Sequence, residues 1–200
     1  MIKRLLLQFI LVFTSVLLFS QNNWKLERDR QGIKVFTRKN PKYTMKDSRA
    51  EVLLKGSADE IIGEFKKVNN HKNWMHRIAT SELIKKVSDN EFYVYYVATA
   101  PWPVSDRDII VHYVIKKDAN GNYTINASGK PDMLPEKEGK VRIKNLASVW
   151  DLTVVSKETT KLVYTNSSEP GGNIPEWLTN SGSTDTPYET LSGLKTIVEK

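Results

Sequence analysis

The sequence predicts an α+β domain in which a curved antiparallel sheet packs against a C-terminal helix. Three observations carry that prediction. Segments rich in β-branched and aromatic residues follow one another between Ile33 and Ser167, with turn dipeptides between them. One helical pattern interrupts them, opening at Ser57. Past Gly171-Gly172 the period changes: Tyr188, Leu191, Leu194 and Val198 recur at spacings of three and four, as on a helix with one buried face.

In chain order, Trp24-Lys25-Leu26-Glu27 is expected to be a short helical or irregular lead-in, punctuated by Gly32. Ile33 to Thr37 is strand-like, and Pro41 separates it from a second strand around Tyr43 to Leu54. Ser57 is placed to cap a helix, because Glu60 follows three residues later and Ile61, Ile62 and Phe65 form an apolar stripe. A loop with Asn69, Asn70, His71 and Asn73 leads to Trp74. Strands are then expected from Ser81 to Val87, Glu91 to Thr99, Arg107 to Lys116, Tyr123 to Ser128, Gly139 to Val155 and Lys161 to Ser167. Asp89-Asn90 and Asn120-Gly121 sit where hairpin turns belong. Pro175 to Leu178 opens a first helical turn, Asn180-Ser181-Gly182-Ser183 interrupts it, and Pro187 to Val198 completes the helix.

With 200 residues and no dividing Gly/Ser-rich or Pro-rich linker, the chain suits one domain whose core buries about two-thirds of the unfolded surface. The absence of cysteine excludes disulfides, thiolate metal centres, a cysteine nucleophile and a lipidated cysteine anchor. At the N-terminus Lys3 and Arg4 precede an apolar run, Leu5 to Phe19, which ends at Ser20 before Gln21-Asn22-Asn23. That layout is the one expected of a signal peptide over residues 1–20, cleaved near Ser20. For the competing reading, an uncleaved anchor, the run is shorter than the roughly 20 apolar residues a membrane-spanning helix needs. The expected working form is therefore an exported domain over residues 21–200, periplasmic or secreted. The formal net charge is +7, but Lys and Arg are scattered rather than gathered in a stripe. Nucleic acid is not an expected partner, whereas transient contact with an anionic membrane surface is compatible with the charge.

Little in the sequence suggests catalysis. His71, His76 and His112 fall at unrelated positions without the companion carboxylates of a metal site, and there is neither a phosphate-binding glycine loop nor a G-x-S-x-G elbow. No catalytic residue, metal or cofactor is expected. Asp106 and Asp108 are expected to face solvent or pair with Arg107 and its neighbours. The most informative segment is Thr99 to Asp108, where Pro101 and Pro103 hold Trp102 out of a central strand. Alternation beyond Ser105 puts Arg107, Ile109, Val111, Tyr113 and Ile115 on one face, with Asp106, Asp108 and His112 on the other. A guanidinium on the more apolar face needs a partner, and two readings stay open: a structural ion pair, or a polar contact inside a cavity. The aromatics Phe92, Tyr93, Tyr95, Tyr96, Tyr113, Tyr123, Trp150 and Tyr164 likewise read as core, or as the wall of a small-molecule site. Sequons begin at Asn122, Asn126 and Asn166.

Several segments together resemble the START lipid-transfer domains of the helix-grip superfamily, which includes polyketide-cyclase-like and Bet v 1-like proteins. They are Gly32 to Arg38, Trp74, Tyr95-Tyr96 before Pro101-Trp102-Pro103-Val104-Ser105-Asp106-Arg107-Asp108, Gly139 to Ile143, Trp150, and Pro170-Gly171-Gly172-Asn173-Ile174-Pro175-Glu176-Trp177-Leu178. The resemblance implies an antiparallel sheet wrapped around the C-terminal helix and a tunnel for a lipid or other hydrophobic molecule, bound without turnover. It implies Arg107, Arg142 and the hydroxyls of Tyr95, Tyr113 and Tyr164 as contacts for a polar head. Tyr43, Trp74, Trp102, Trp150, Trp177, Tyr188, Leu191 and Leu194 would line the pocket or its lid. A cyclase- or hydrolase-like enzyme on the same fold, and a partner-binding domain with a filled core, are the alternatives. The chain lacks much of the N-terminal helical region of many eukaryotic members, and Gly182 would suit a lid hinge.

Overall fold

The structure is a computed structural model and describes residues 23–200. The expected signal peptide and its cleavage point lie outside the described residues. The strands are β1 (Lys25–Arg30), β2 (Ile33–Arg38), β3 (Asp47–Lys55), β4 (Ile78–Ser88), β5 (Glu91–Ala98), β6 (Asp106–Lys117), β7 (Tyr123–Gly129), β8 (Lys140–Arg142), β9 (Asn145–Ser156) and β10 (Thr159–Glu169). The helices are α1 (Ala58–Lys66) and α2 (Glu176–Val198), with a 3-10 segment over Val68–Asn73.

The strands form one curved sheet in the order β1-β2-β3-β10-β9-β7-β6-β5-β4, antiparallel throughout this path. β8 joins off the path and runs parallel to the start of β6, with Arg107 opposite Val141. The long strand expected from Gly139 to Val155 is therefore two strands, because the chain leaves β6 after Arg142 and crosses to pair with β7 and β10. Both expected hairpin turns join the strands they were assigned to: β4 to β5 at Asp89-Asn90, and β6 to β7 around Asn120-Gly121.

The Ser57 cap forms as a full capping box: the Glu60 amide donates to the Ser57 hydroxyl, and the Ser57 amide donates to the Glu60 carboxylate at 2.8 Å. The buried face of α1, Ile61, Ile62 and Phe65, meets the inner face of the sheet. There Phe65 packs edge-on to Trp74 and Trp150, at ring separations of 5.2 Å and 4.9 Å.

Two expectations fail at the ends of the chain. The lead-in Trp24 to Glu27 is neither helical nor irregular from Lys25 onward; it opens strand β1, which pairs with β2. Its alternation was hidden because both of its faces are largely exposed at the sheet edge. The C-terminal helix is also uninterrupted from Glu176 to Val198. Asn180, Ser181, Gly182 and Ser183 have weak helix propensity, but Ser181 and Ser183 donate to the carbonyls of Leu178 and Thr179, and tertiary contact supplies the rest. α2 crosses β2 and β3, and it is held by Arg28 of β1, 2.6 Å from Asp185, and by Gln31 in the turn after β1, which accepts from the Tyr188 hydroxyl at 2.9 Å. The turn into α2 requires Gly171 and Gly172, whose φ values of 66° and 65° lie in the left-handed region.

Candidate functional site: an internal cavity beneath α2

The sheet and the C-terminal half of α2 close on a solid core, in which Leu191 and Leu194 are fully buried. Under the N-terminal half they do not meet, which leaves a cavity of about 250 Å³ instead of the filled interior of the partner-binding alternative. Its inner wall comes from alternate residues of neighbouring strands: Tyr96 and Ala98 of β5, Arg107, Ile109, Val111 and Tyr113 of β6, Ser148 and Trp150 of β9, Tyr164 and Asn166 of β10. Leu178, Gly182, Asp185 and Thr186 of α2 form the roof. From Arg107 to Tyr113 the wall runs about 20 Å, at roughly 3.3 Å per residue.

The small residues of α2 have a local reason. A side chain at Gly182 would bring its Cβ to 3.3 Å from Met45, which also lines the cavity.

At the Gly171 end lies Arg107, which makes no ion pair among the described residues. Its guanidinium donates to backbone carbonyls instead: to Ser105, to Pro170 at 3.4 Å and to Gly171 at 3.2 Å. Burial lowers its pKa, against the opposing pull of Asp106. Of the two readings left open by the sequence, the structural ion pair is replaced by carbonyl contacts, and the residue stands on the cavity wall.

The opposite end carries a chain of polar groups. His71 is fully buried, with Nε2 2.8 Å from the Phe65 carbonyl oxygen and Nδ1 2.6 Å from the Tyr96 hydroxyl. The Tyr96 and Tyr113 hydroxyls lie 3.0 Å apart. Burial pushes the Tyr113 phenol up to about 12 and holds Tyr96 and Tyr164 well above their ordinary value too, so all three stay protonated at neutral pH. Tyr164 stacks on Trp150 at 3.8 Å.

Four of the expected ligand residues, Arg107, Tyr113, Trp150 and Tyr164, therefore meet on the wall. The others do not. Arg142 lies on the opposite face of the sheet, where it forks onto both oxygens of Asp108 at 2.9 Å and 2.8 Å and donates to the carbonyls of Pro131, Leu134 and Pro135. Asp108 is correspondingly not at the surface; burial opposes its ionisation, but the Arg142 fork outweighs this and holds its carboxyl below the ordinary range. Tyr95 belongs to that face too, because it pairs with Ile110 while Tyr96 pairs with Ile109, and strand side chains alternate. Trp74, Tyr188, Leu191 and Leu194 are core residues off the cavity wall. Trp102 and Trp177 point to solvent, 93% and 62% exposed, although their neighbours Pro101 and Leu178 line the cavity.

The sequence reading named Tyr96 only among the aromatics open to a core or a wall reading, and missed the roles of His71, Ser148, Asn166 and Asp185. Tyr96 was within reach, since a hairpin register fixed at Asp89-Asn90 puts it on the face of Tyr113; nothing in the sequence connects it to His71.

Comparison with known proteins fits this architecture. The START domain family model matches residues 8–198. An uncharacterized protein of Pseudomonas aeruginosa is 32% identical over 178 residues, spanning 89% of this chain and 88% of its own. Mouse phosphatidylcholine transfer protein is 23% identical over 163 residues, with coverage of 79% and 75%. The crystal structure of a STAR-related lipid transfer protein from Xanthomonas axonopodis superimposes with a TM-score of 0.81 at 37% identity, covering 88% of this chain and 99% of that one. A family match over nearly the whole length, with relatives similar across most of theirs, shows that this chain belongs to the START domain family.

Proposed function

We propose that the domain binds a lipid or other hydrophobic small molecule in the cavity beneath α2 and carries or senses it without chemical change, after export from the cytoplasm. The observation that carries this reading is the cavity itself, a mostly apolar space with polar groups at its two ends. Burying a hydrocarbon chain there supplies about 0.8 kcal/mol for each methylene removed from water. Relatives named as a STAR-related lipid transfer protein and a phosphatidylcholine transfer protein point to the same class of ligand. The wall favours holding over turnover: Asp185 is engaged by Arg28, and the tyrosines are kept protonated.

Thermal unfolding with phospholipids, fatty acids and isoprenoids tests the reading. At least one class is expected to raise Tm, and Ile109→Trp, which fills the cavity, is expected to remove that rise while leaving a cooperative transition. A protein indifferent to every class would contradict the proposal. Export is supported by the N-terminal pattern, and the mass of the protein recovered from its host decides whether it begins near Gln21.

A further inference from the structure

We propose that the Tyr113 end of the cavity selects ligands bearing a hydroxyl group, because His71 fixes Tyr113 as a hydrogen-bond acceptor. The proposal rests on the cavity-binding reading above and names a chemical requirement of that ligand.

The argument counts protons. A carbonyl oxygen only accepts, so the Phe65 carbonyl requires the proton of His71 on Nε2. Burial lowers His71 to about 4, which leaves the ring neutral at neutral pH and Nδ1 bare. A bare Nδ1, 2.6 Å from the Tyr96 oxygen, can only accept, so the single phenolic proton of Tyr96 points to His71. The 3.0 Å contact between the two phenols then takes its proton from Tyr113. Tyr113 has none left, and offers the cavity lone pairs alone.

Tyr164 stands on the same wall and makes no side-chain hydrogen bond among the described residues, so its own O–H is free to donate. The pair is thus complementary to an alcohol, which donates to Tyr113 and accepts from Tyr164. An ether, ester or ketone satisfies Tyr164 but presents an acceptor to the acceptor Tyr113. A buried polar pair left unmatched in this way weakens binding by about tenfold. His71 is a positioning residue that lies off the cavity wall; Tyr96 stands on the wall, but with its proton held by His71 it acts on selection through the proton of Tyr113.

The test compares 1-dodecanol with dodecyl methyl ether, which share a hydrocarbon chain and differ in the donor, by displacement of 1-anilinonaphthalene-8-sulfonate from the whole protein. The native protein is expected to prefer the alcohol about tenfold. Tyr113→Phe is expected to bring the ratio to about one. Tyr96→Phe leaves Tyr113 in place and frees its proton, so affinity for the ether is expected to rise; a merely structural role for Tyr96 would leave the ratio unchanged or weaken both ligands together. Equal binding of alcohol and ether by the native protein would overturn the proposal and leave the cavity reading intact. Failure to bind either would overturn this proposal, and the thermal-unfolding series with the three lipid classes then decides the cavity reading separately.

Discussion

Arg107 and Arg142 lie on neighbouring strands in a sheet with opposite fates. The sequence placed Arg107 and Tyr113 on one face of a strand, and the structure keeps them there on the cavity wall. It misplaced the ion pair, which belongs to Arg142 and Asp108. The reason is that β6 is buried on both faces from Arg107 to Val111, so alternation distinguishes two faces without saying which one holds a cavity. The second cover is the segment around Pro131 to Pro135, whose carbonyls Arg142 gathers, and no periodicity announces it. Removing one partner from a buried pair leaves the other charge uncompensated. Arg142→Ala is expected to cost about 3–5 kcal/mol in urea unfolding, against much less for Lys144→Ala at the surface. His71 supplies a second expectation. Its folded pKa of about 4 lies below its ordinary value of 6.5, so between these values the unfolded chain binds the additional proton and stability falls as pH falls. The loss approaches about 3 kcal/mol by pH 4, and His71→Gln is expected to flatten this part of the stability curve while starting from lower stability.

Among the elements, the strands and α1 were readable because turn dipeptides and a capping box mark their ends locally. α2 was readable in its first turn at Pro175 to Leu178 and in its second half, where Tyr188, Leu191 and Leu194 bury one face, but not as continuous between them. Its first half roofs a cavity rather than a core, so it needs small and polar residues and carries no apolar stripe for periodicity to detect. β1 was lost for a related reason, since an edge strand with two exposed faces has no alternation to show. Where α2 does pack, it packs closely: a Cβ built at Gly193 would lie 2.4 Å from the Trp74 carbonyl oxygen. Gly193→Ala removes a glycine from a helix, which by propensity stabilises by about 1 kcal/mol. The clash is expected to outweigh that gain and give a net loss of about 1–3 kcal/mol, measurable by chemical denaturation. Gly63→Ala in α1, where nothing lies within 4 Å, is expected to show the gain alone.

For the whole molecule, the cavity and the two exposed tryptophans belong to one account. Trp102 and Trp177 adjoin cavity-lining residues from opposite walls, sheet loop and roof helix, and tryptophan suits the boundary between water and lipid. Lys42 and Lys46 are exposed on either side of Met45 at the same cavity, where they would add attraction to an anionic lipid surface. The combined change Trp102→Ala with Trp177→Ala is expected to slow ligand transfer between anionic vesicles while leaving equilibrium binding unchanged; a loss of binding instead would assign these residues to the pocket. The residues alone left the cavity as one of two readings of Arg107 and the strand aromatics, and the resemblance implied it, because an unfilled volume leaves no mark of its own on composition or periodicity. The central claim is that the cavity holds a hydrophobic molecule, and native mass spectrometry of gently purified protein tests it most directly. The account predicts one lipid-class molecule per chain, lost on denaturation and absent from the Ile109→Trp variant. An unliganded native protein that also takes up no added lipid would contradict it.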